Sequence, residues 1–450
     1  MKSVLYLHIW LTLIGISIFQ VGLTHSGYTQ ELVSHSVNLH EPDSVQDVQA
    51  SNNNESKQAS LMTIVVSAGE FDRLASPIRI ELRNSKLAPG NYYLESAFPW
   101  DHAQATISHG EKKGTVYLDF VIRELRKGQT IKFDLDKTED LLFFFDWEID
   151  KGNTAELKFH DQPVLRYMFE KLNEETKENR ARTYKVYHHV FSPDGKTLLT
   201  KGPGGLYPHH RGIFFGYNKI SYGDQQADTW HCNNGESQIN ITNDNYPYFF
   251  AGSAMAENRN LVHWNGRDGK SFAQELRTLR TYHVDKLQVI DFESTLSAII
   301  DQPIRLKGDP QHAGVQFRAS QHVPDKTKTK TFYIRPDGIG KPGEFRNWPA
   351  DKQHQDLPWN AMCFEIDRKT YTCCYFNHPA NPKPASFSER DYGRFGSYFE
   401  FELTKQKPLK VKYRYLIREG VMSVDDINRL HKDFTNPMTA TITPRTPVRK

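Results

Sequence analysis

SFAQELRTLRTYHV (residues 271–284) and LQVIDFESTLSAII (287–300) decide the fold class. In each, apolar and polar residues trade places at short range, as in FAQELRTLRTY, where Glu275 and Arg277 share one face and Leu276 takes the other. That period of two, without a helical stripe, reads as strand. The same texture extends outward in both directions. QINITND and YFFAGSAMAENRNLVHWNG precede the pair; HAGVQFRAS, KTFYIRP, AMCFEIDRKTYTCCYFNHP, SYFEFELT and LKVKYRYLIRE follow it. Short strands at regular intervals with hardly any helical period predict a large all-β domain. One helix is expected, over 425–434 (DDINRLHKDF), capped by Ser423 or Asp425. RTYKVYHHVFSPDGKTLLT reads as strand, Pro-Asp-Gly turn, strand. The charged run KLNEETKENR has no apolar stripe, so it is a solvated loop or short helix.

Upstream, LMTIVVSAG, SPIRIELRN, NYYLESAF, GTVYLDFVI and TIKFDL fit a small antiparallel β-sandwich. The expected order is a signal peptide or N-terminal anchor (1–27), a disordered linker (28–60), the small sandwich (61–138), the large β domain (139–434) and a flexible tail (435–450). The first two assignments rest on composition. Met1-Lys2 precedes an apolar run from Val4 to Val21, and polar residues then follow up to SNNNESKQAS. A cleaved signal implies a periplasmic or secreted protein; an uncleaved segment would instead hold it to a membrane. No cysteine follows the run, which speaks against a lipoprotein anchor.

The chain has 450 residues, 38% of them hydrophobic, so a sizeable core is available. A net charge of +3 and the lack of any RNA- or DNA-binding motif exclude nucleic acid as a partner. Four cysteines are too few to act as a scaffold. If residues 361–376 form a hairpin turning near Arg368, Cys363 faces Cys373 or Cys374; the alternatives are one bridge or free buried thiols.

Chemistry concentrates between Gly202 and Glu236, GPGGLYPHHRGIFFGYNKISYGDQQADTWHCNNGE. His209, His210 and His231 can move protons, Arg211 can hold an anion, and glycines allow close backbone approach. In a regular strand His209 and His210 would point to opposite faces, so both can serve one ligand only if Pro208 and the glycines bend the chain. Asp224, Asp228, Trp230 and His231 form the second cluster. An aromatic face beside carboxylates suits a sugar; the plainer reading is a polar loop anchored by Trp230. In GDPQHAGVQFRAS, His312 precedes a strand with Gln316 and Arg318 on one face and Val315, Phe317 and Ala319 on the other. Glu275 is either an ion-pair partner of Arg277 or, on an internal face, a general base. The Pro-rich stretch YFNHPANPKPASFSERDYGRFGS reads as a long loop carrying His378, Asn381, Glu389, Arg390 and Tyr392. Two His and Asp228 would resemble a non-haem iron set, but no H-x-D or HExxH spacing supports one, and no metal or other cofactor is expected. There is no nucleophile elbow, Walker loop or dinucleotide fingerprint.

At YPHHRGIFFGYN, GVQFRAS and NHPANPKPASF with RDYGRFG, the chain resembles a bacterial family labelled PmoA-like, over roughly residues 140–420. Its members are exported and common in polysaccharide-degrading bacteria, and the family's function is unknown. The label implies a metal-dependent methane oxygenase, yet the membrane monooxygenase subunit needs several transmembrane helices, which this chain lacks beyond its first residues. The family's β pattern looks similar to the galactose-mutarotase-like supersandwich of mutarotases, polysaccharide lyases and glycosidase accessory domains. That likeness implies a His acid and a carboxylate base around a sugar ring, met here by His209 or His210 with Glu275 or Asp228. Arg211 and Arg318 would bind hydroxyls or a uronic carboxylate, with Asp224, Trp230, His231, His312, Gln316, His378 and Arg390 as further contacts. The expectation is a carbohydrate ligand, with epimerisation, elimination or hydrolysis near the anomeric carbon; the alternative is a non-catalytic glycan-binding protein.

Overall fold

The computed structural model describes residues 61–98, 101–110, 114–138, 144–150 and 152–444. The segments read as signal or anchor (1–27) and as linker (28–60) lie outside them. The fold is all-β and sandwich-like.

Two large antiparallel sheets build the main body. The first has eight strands in the order Ser386–Arg390, Arg394–Tyr398, Ala313–Arg318, Ile213–Tyr217, Tyr187–Val190, Gln162–Met168, Thr154–Phe159, Phe145–Asp150. The second has ten, with Ala256–Asn265, Ser271–Val284, Leu287–Ala298, Leu409–Glu419 and Lys369–Asn377 at its centre. Phe215, Val315 and Phe317 of one and Trp264, Ile290, Phe292 and Tyr413 of the other belong to a single buried core. Even spacing along Leu287–Ala298 sends Ile290, Phe292 and Leu296 into that core, each contributing roughly 1.5–3 kcal/mol. Val289 takes the opposite face and packs with Ile427 and Leu430 of the helix Val424–Thr435. Ser423 caps that helix by accepting from the Asp426 N–H at 3.1 Å.

The hairpin Trp359–Ile366/Lys369–Asn377 turns at Asp367 and Arg368, both left-handed (φ 48° and 67°). Its register sets Cys363 against Thr372, not against a cysteine, and all four cysteines are free and buried. The stretch read as a long Pro-rich loop contains two strands, Ser386–Arg390 and Arg394–Tyr398, which pair as a hairpin at the edge of the eight-stranded sheet.

The N-terminal β unit is one seven-stranded sheet curled around its own core, which draws Ile64, Leu94, Ile107, Phe120 and Phe133 together. It is tied to the main body by Arg79–Glu257 (3.1 Å) and by Tyr282 Oη donating to Asp119 (3.2 Å). Here the structure corrects the sequence reading at the C-terminus. Residues beyond 435, expected to be loose because of their Pro and Thr content, include the strand Thr439–Pro444, which pairs antiparallel with Met62–Ser67. Thr and Ile at alternate positions meet an open sheet edge, and backbone pairing outweighs the weak local signal. No helix among the described residues is long and apolar enough to cross a membrane.

Candidate functional site

The outer face of the eight-stranded sheet carries the site. On Ile213–Tyr217 the core takes Ile213, Phe215 and Tyr217, so Phe214 points outward. Register places Gln316 beside Phe214, and Arg394 beside Arg318. Two loops lie over this face, around residues 202–212 and 228–235. Tyr207 (φ 54°) and Gly212 (φ 44°) are left-handed and flank Pro208, so the chain is bent where a strand would have separated the two imidazoles. The rings of His209 and His210 therefore meet edge to face, 4.3 Å between centroids.

From there the imidazoles form a row. His209 lies 4.4 Å from His231, and His231 lies 5.2 Å from His312. Each outer member is held by a carboxylate three residues earlier. Asp228 Oδ2 accepts from His231 Nδ1 at 2.8 Å, and its Oδ1 accepts the backbone N–H groups of Trp230 and His231. Asp309 Oδ1 accepts from His312 Nδ1 at 2.8 Å, while Asn218 donates to Oδ2. A carboxylate on Nδ1 fixes the tautomer and leaves Nε2 as the basic atom. Burial pushes Asp309 upward, but the bonds from His312 and Asn218 prevail and hold it well below the usual carboxylate range. The row opens to solvent at His312, 38% exposed, and closes at His210, 1% exposed.

The closed end is rich in protein nitrogen. Burial, reinforced by His231 and Lys185, pushes His209 down to about 2. His210 falls well below its ordinary value for want of water and because Arg394 is near. Both imidazoles are therefore neutral at pH 7. Burial also lowers Lys185 to about 8 and Lys201 to about 7. Tyr392 joins the parts: its ring stacks with His210 (6.2 Å), touches Tyr207 (5.0 Å), lies under the Arg318 guanidinium (5.1 Å), and its Oη accepts from Arg394 (3.4 Å). No group of three His, Cys, Asp or Glu among the described residues could hold a metal ion.

The structure thus brings His209, His210, Asp228, His231, His312 and Arg318 into one side-chain cluster, with Gln316 beneath it, donating to Ala313 O and accepting from Arg394. Arg390 lies at the rim, bonded to Asn347 and beside Tyr392. Other expected members are elsewhere. Glu275 is sealed between the two large sheets, paired through two 2.8 Å bonds to Arg277 and bonded by Trp264 Nε1, where no substrate reaches it. Arg211 is buried but turns away, donating to the carbonyls of Ala181 and Arg182 at the end of the helix Lys177–Thr183. Asp224 is exposed at the tip of a hairpin between Lys219–Tyr222 and Gln225–Ala227. His378 packs on Phe434 of the C-terminal helix. Trp230 is fully buried against Phe214 (4.8 Å), so its face cannot stack on a sugar; Tyr207, 43% exposed, is the available ring.

Asp309, Tyr207, Arg394, Lys185 and Lys201 were not singled out from the sequence, and Tyr392 was read only as a member of the long Pro-rich loop. One signal was present: Asp-x-x-His occurs both at Asp228–His231 and at Asp309–His312. A cavity of about 660 Å³ lies away from this cluster, beside the hairpin turn at Asp285, and its lining includes His102 and His283 but none of the four histidines of the row. A second, about 520 Å³, adjoins the site behind Lys185, Pro203 and Gly204.

Residues 154–432 match a family of unknown function (DUF6807). A comparison with curated proteins found no match. Two solved structures from Enterococcus faecalis are similar over 86% of this chain. One is a protein in the glycosyl hydrolase family 38 (11% identity, TM-score 0.41, 48% of that chain covered). The other is an α-mannosidase from strain V583 (11% identity, TM-score 0.42, 46% covered). The chain spans about half the length of each.

Proposed function

Since the chain belongs to the family of unknown function DUF6807, we propose a function from its site: an exported protein that binds a carbohydrate at the histidine row and performs acid–base chemistry at or near an anomeric carbon. The observation that carries this reading is the pair of Asp–His units, Asp228–His231 and Asp309–His312, whose rings lie 5.2 Å apart at a solvent-reached surface. Two oriented imidazoles in one row can take a proton from a sugar hydroxyl or ring carbon and return one to the departing or incoming oxygen. His209, held neutral behind His231, can accept the hydrogen bond of a substrate hydroxyl without competing for the proton. Tyr207 offers an exposed ring for the apolar face of a pyranose.

The test is a screen of the purified protein against a glycan panel, with product analysis and a pH–rate profile. A bell-shaped profile lost in His231→Ala and in His312→Ala is the expected result. Glycans that bind and come back unaltered would make the protein a binding module. A panel with neither binding nor turnover would overturn the carbohydrate reading.

A further inference from the structure

The buried end of the histidine row has cationic groups without acids. Arg318 and Arg394 are each fully buried, and no carboxylate among the described residues pairs with either. Arg394 donates only to neutral oxygens, those of Gln316, Ser388 and Tyr392. Arg318 uses one nitrogen on the carbonyls of Ala319 and Tyr392. The acid whose charge most affects Arg318 is Asp325, which is exposed and held by Gln321. Lys185 and Lys201 likewise donate only to carbonyls. The acids of the site, Asp228 and Asp309, are occupied by their histidines.

Unpartnered polar atoms gather at the same place. Arg318 Nε and Nη2, Trp230 Nε1, both ring nitrogens of His210 and Nε2 of His209 are buried with no hydrogen-bond partner among the described residues. Arg and Trp nitrogens are donors only, and a neutral imidazole has one donor. Each imidazole also keeps one acceptor nitrogen, so the net excess is of donors, on Arg318 and Trp230, and the unbalanced charge is positive. An unpaired buried cation is strongly disfavoured unless something brings the opposite charge.

The geometry points to an oxyanion as the group this end of the row holds: a carboxylate or sulfate ester on the carbohydrate, seated between Arg318, Arg394 and the Trp230–His210 nitrogens. The assignment rests on the carbohydrate reading for the rest of the ligand, while the anion can be tested separately. A planar fork that meets two oxygens at once recognises both groups well.

Calorimetric titration of the full chain with matched ligands tests it. Oligogalacturonate is compared with its carboxyl-reduced form, a sulfated galactan with its desulfated form, and sodium sulfate is titrated alone against sodium chloride. The expected result is at least tenfold tighter binding for one anionic member of a pair, about 1.4 kcal/mol, weakening as salt rises. In Arg394→Gln that preference should fall to within twofold. Should Arg394→Gln not fold, Arg318→Lys keeps the charge, removes the fork and should lower the preference several-fold. Which pair responds separates carboxylate from sulfate. Equal affinity within both pairs overturns the anion assignment and leaves the carbohydrate site standing. Sulfate binding without any sugar keeps the anion and overturns the sugar. If no anionic probe binds, the assignment is overturned.

Discussion

Gly212 is where the bent loop rejoins the sheet, and replacing it with Ala should be among the most damaging single-methyl changes near the site. Its φ is +44°, and a Cβ there would lie 2.0 Å from the backbone oxygen of His188. A carbon–oxygen contact normally sits near 3.3 Å, so about 1.3 Å of movement is required. Gly212 N donates to Lys201 O at 2.9 Å, and its carbonyl accepts from Arg318 N at 2.8 Å. Displacement by more than an ångström takes both beyond bonding range. Left-handed strain of about 1–2 kcal/mol, overpacking of about 1–3 kcal/mol and two weakened bonds at about 0.5–1.5 kcal/mol each sum to roughly 3–8 kcal/mol. Gly204 is the control: it is also left-handed (φ +85°), but nothing lies within 4 Å of its would-be Cβ. Gly204→Ala should therefore cost only the strain, about 1 kcal/mol. Urea unfolding followed by tryptophan fluorescence measures both. If Gly212→Ala falls within about 1 kcal/mol of Gly204→Ala, the clash is not real and the loop is not anchored as described.

Stability should fall in mild acid. Burial lowers His188 and His189 to about 3 and holds His210 well below its ordinary value, so below the unfolded value near 6.5 only the unfolded chain takes up these protons. Their contribution is full above that pH and is lost as pH falls, at about 1.4 kcal/mol per pH unit for each imidazole. Asp119, raised by burial to about 7, works in the opposite direction and offsets about one of the three. Melting temperatures that stay level from pH 7.5 to pH 5 would contradict this. Asp228→Asn and Asp309→Asn keep an oxygen for the backbone N–H bonds but lose the tautomer-fixing charge. Each should lower turnover about 10²–10⁴-fold with glycan affinity changed less than threefold, as measured by paired kinetics and titration. Glu275→Gln should cost about 3–5 kcal/mol by leaving Arg277 buried without its charge, while the surviving folded fraction keeps the wild-type pH profile; a shifted profile would return Glu275 to the site.

Alternation was enough to read the class of fold, because every long strand has one face toward a core and a period of two records it. The Cys363 register was missed by one residue because it is set by the turn at Asp367 and Arg368, and the strand Thr439–Pro444 was not legible because its partner, Met62–Ser67, lies far away in sequence. For the site, residue type was a good guide where chemistry is local. His209, His210, Asp228 and His231 lie within 23 residues and meet through a bent loop. It was a poor guide where direction matters. Arg211 adjoins His210 yet points to a helix end, and Glu275 shares a face with Arg277 only to be enclosed by the opposite sheet. Tyr392 and Arg394 sit in what looked like a loop, so their register beside Arg318 could not be inferred.

The pairing of Met62–Ser67 with Thr439–Pro444 also has a consequence for biosynthesis. The first described strand leaves the ribosome long before its edge partner exists, so that flank of the small sheet must wait, open, while both large sheets are made. Nascent chains stalled before Thr439 would carry an unprotected edge of the kind that recruits chaperones or a neighbouring copy. Synthesis of Thr439–Pro444 is then the event that seals it.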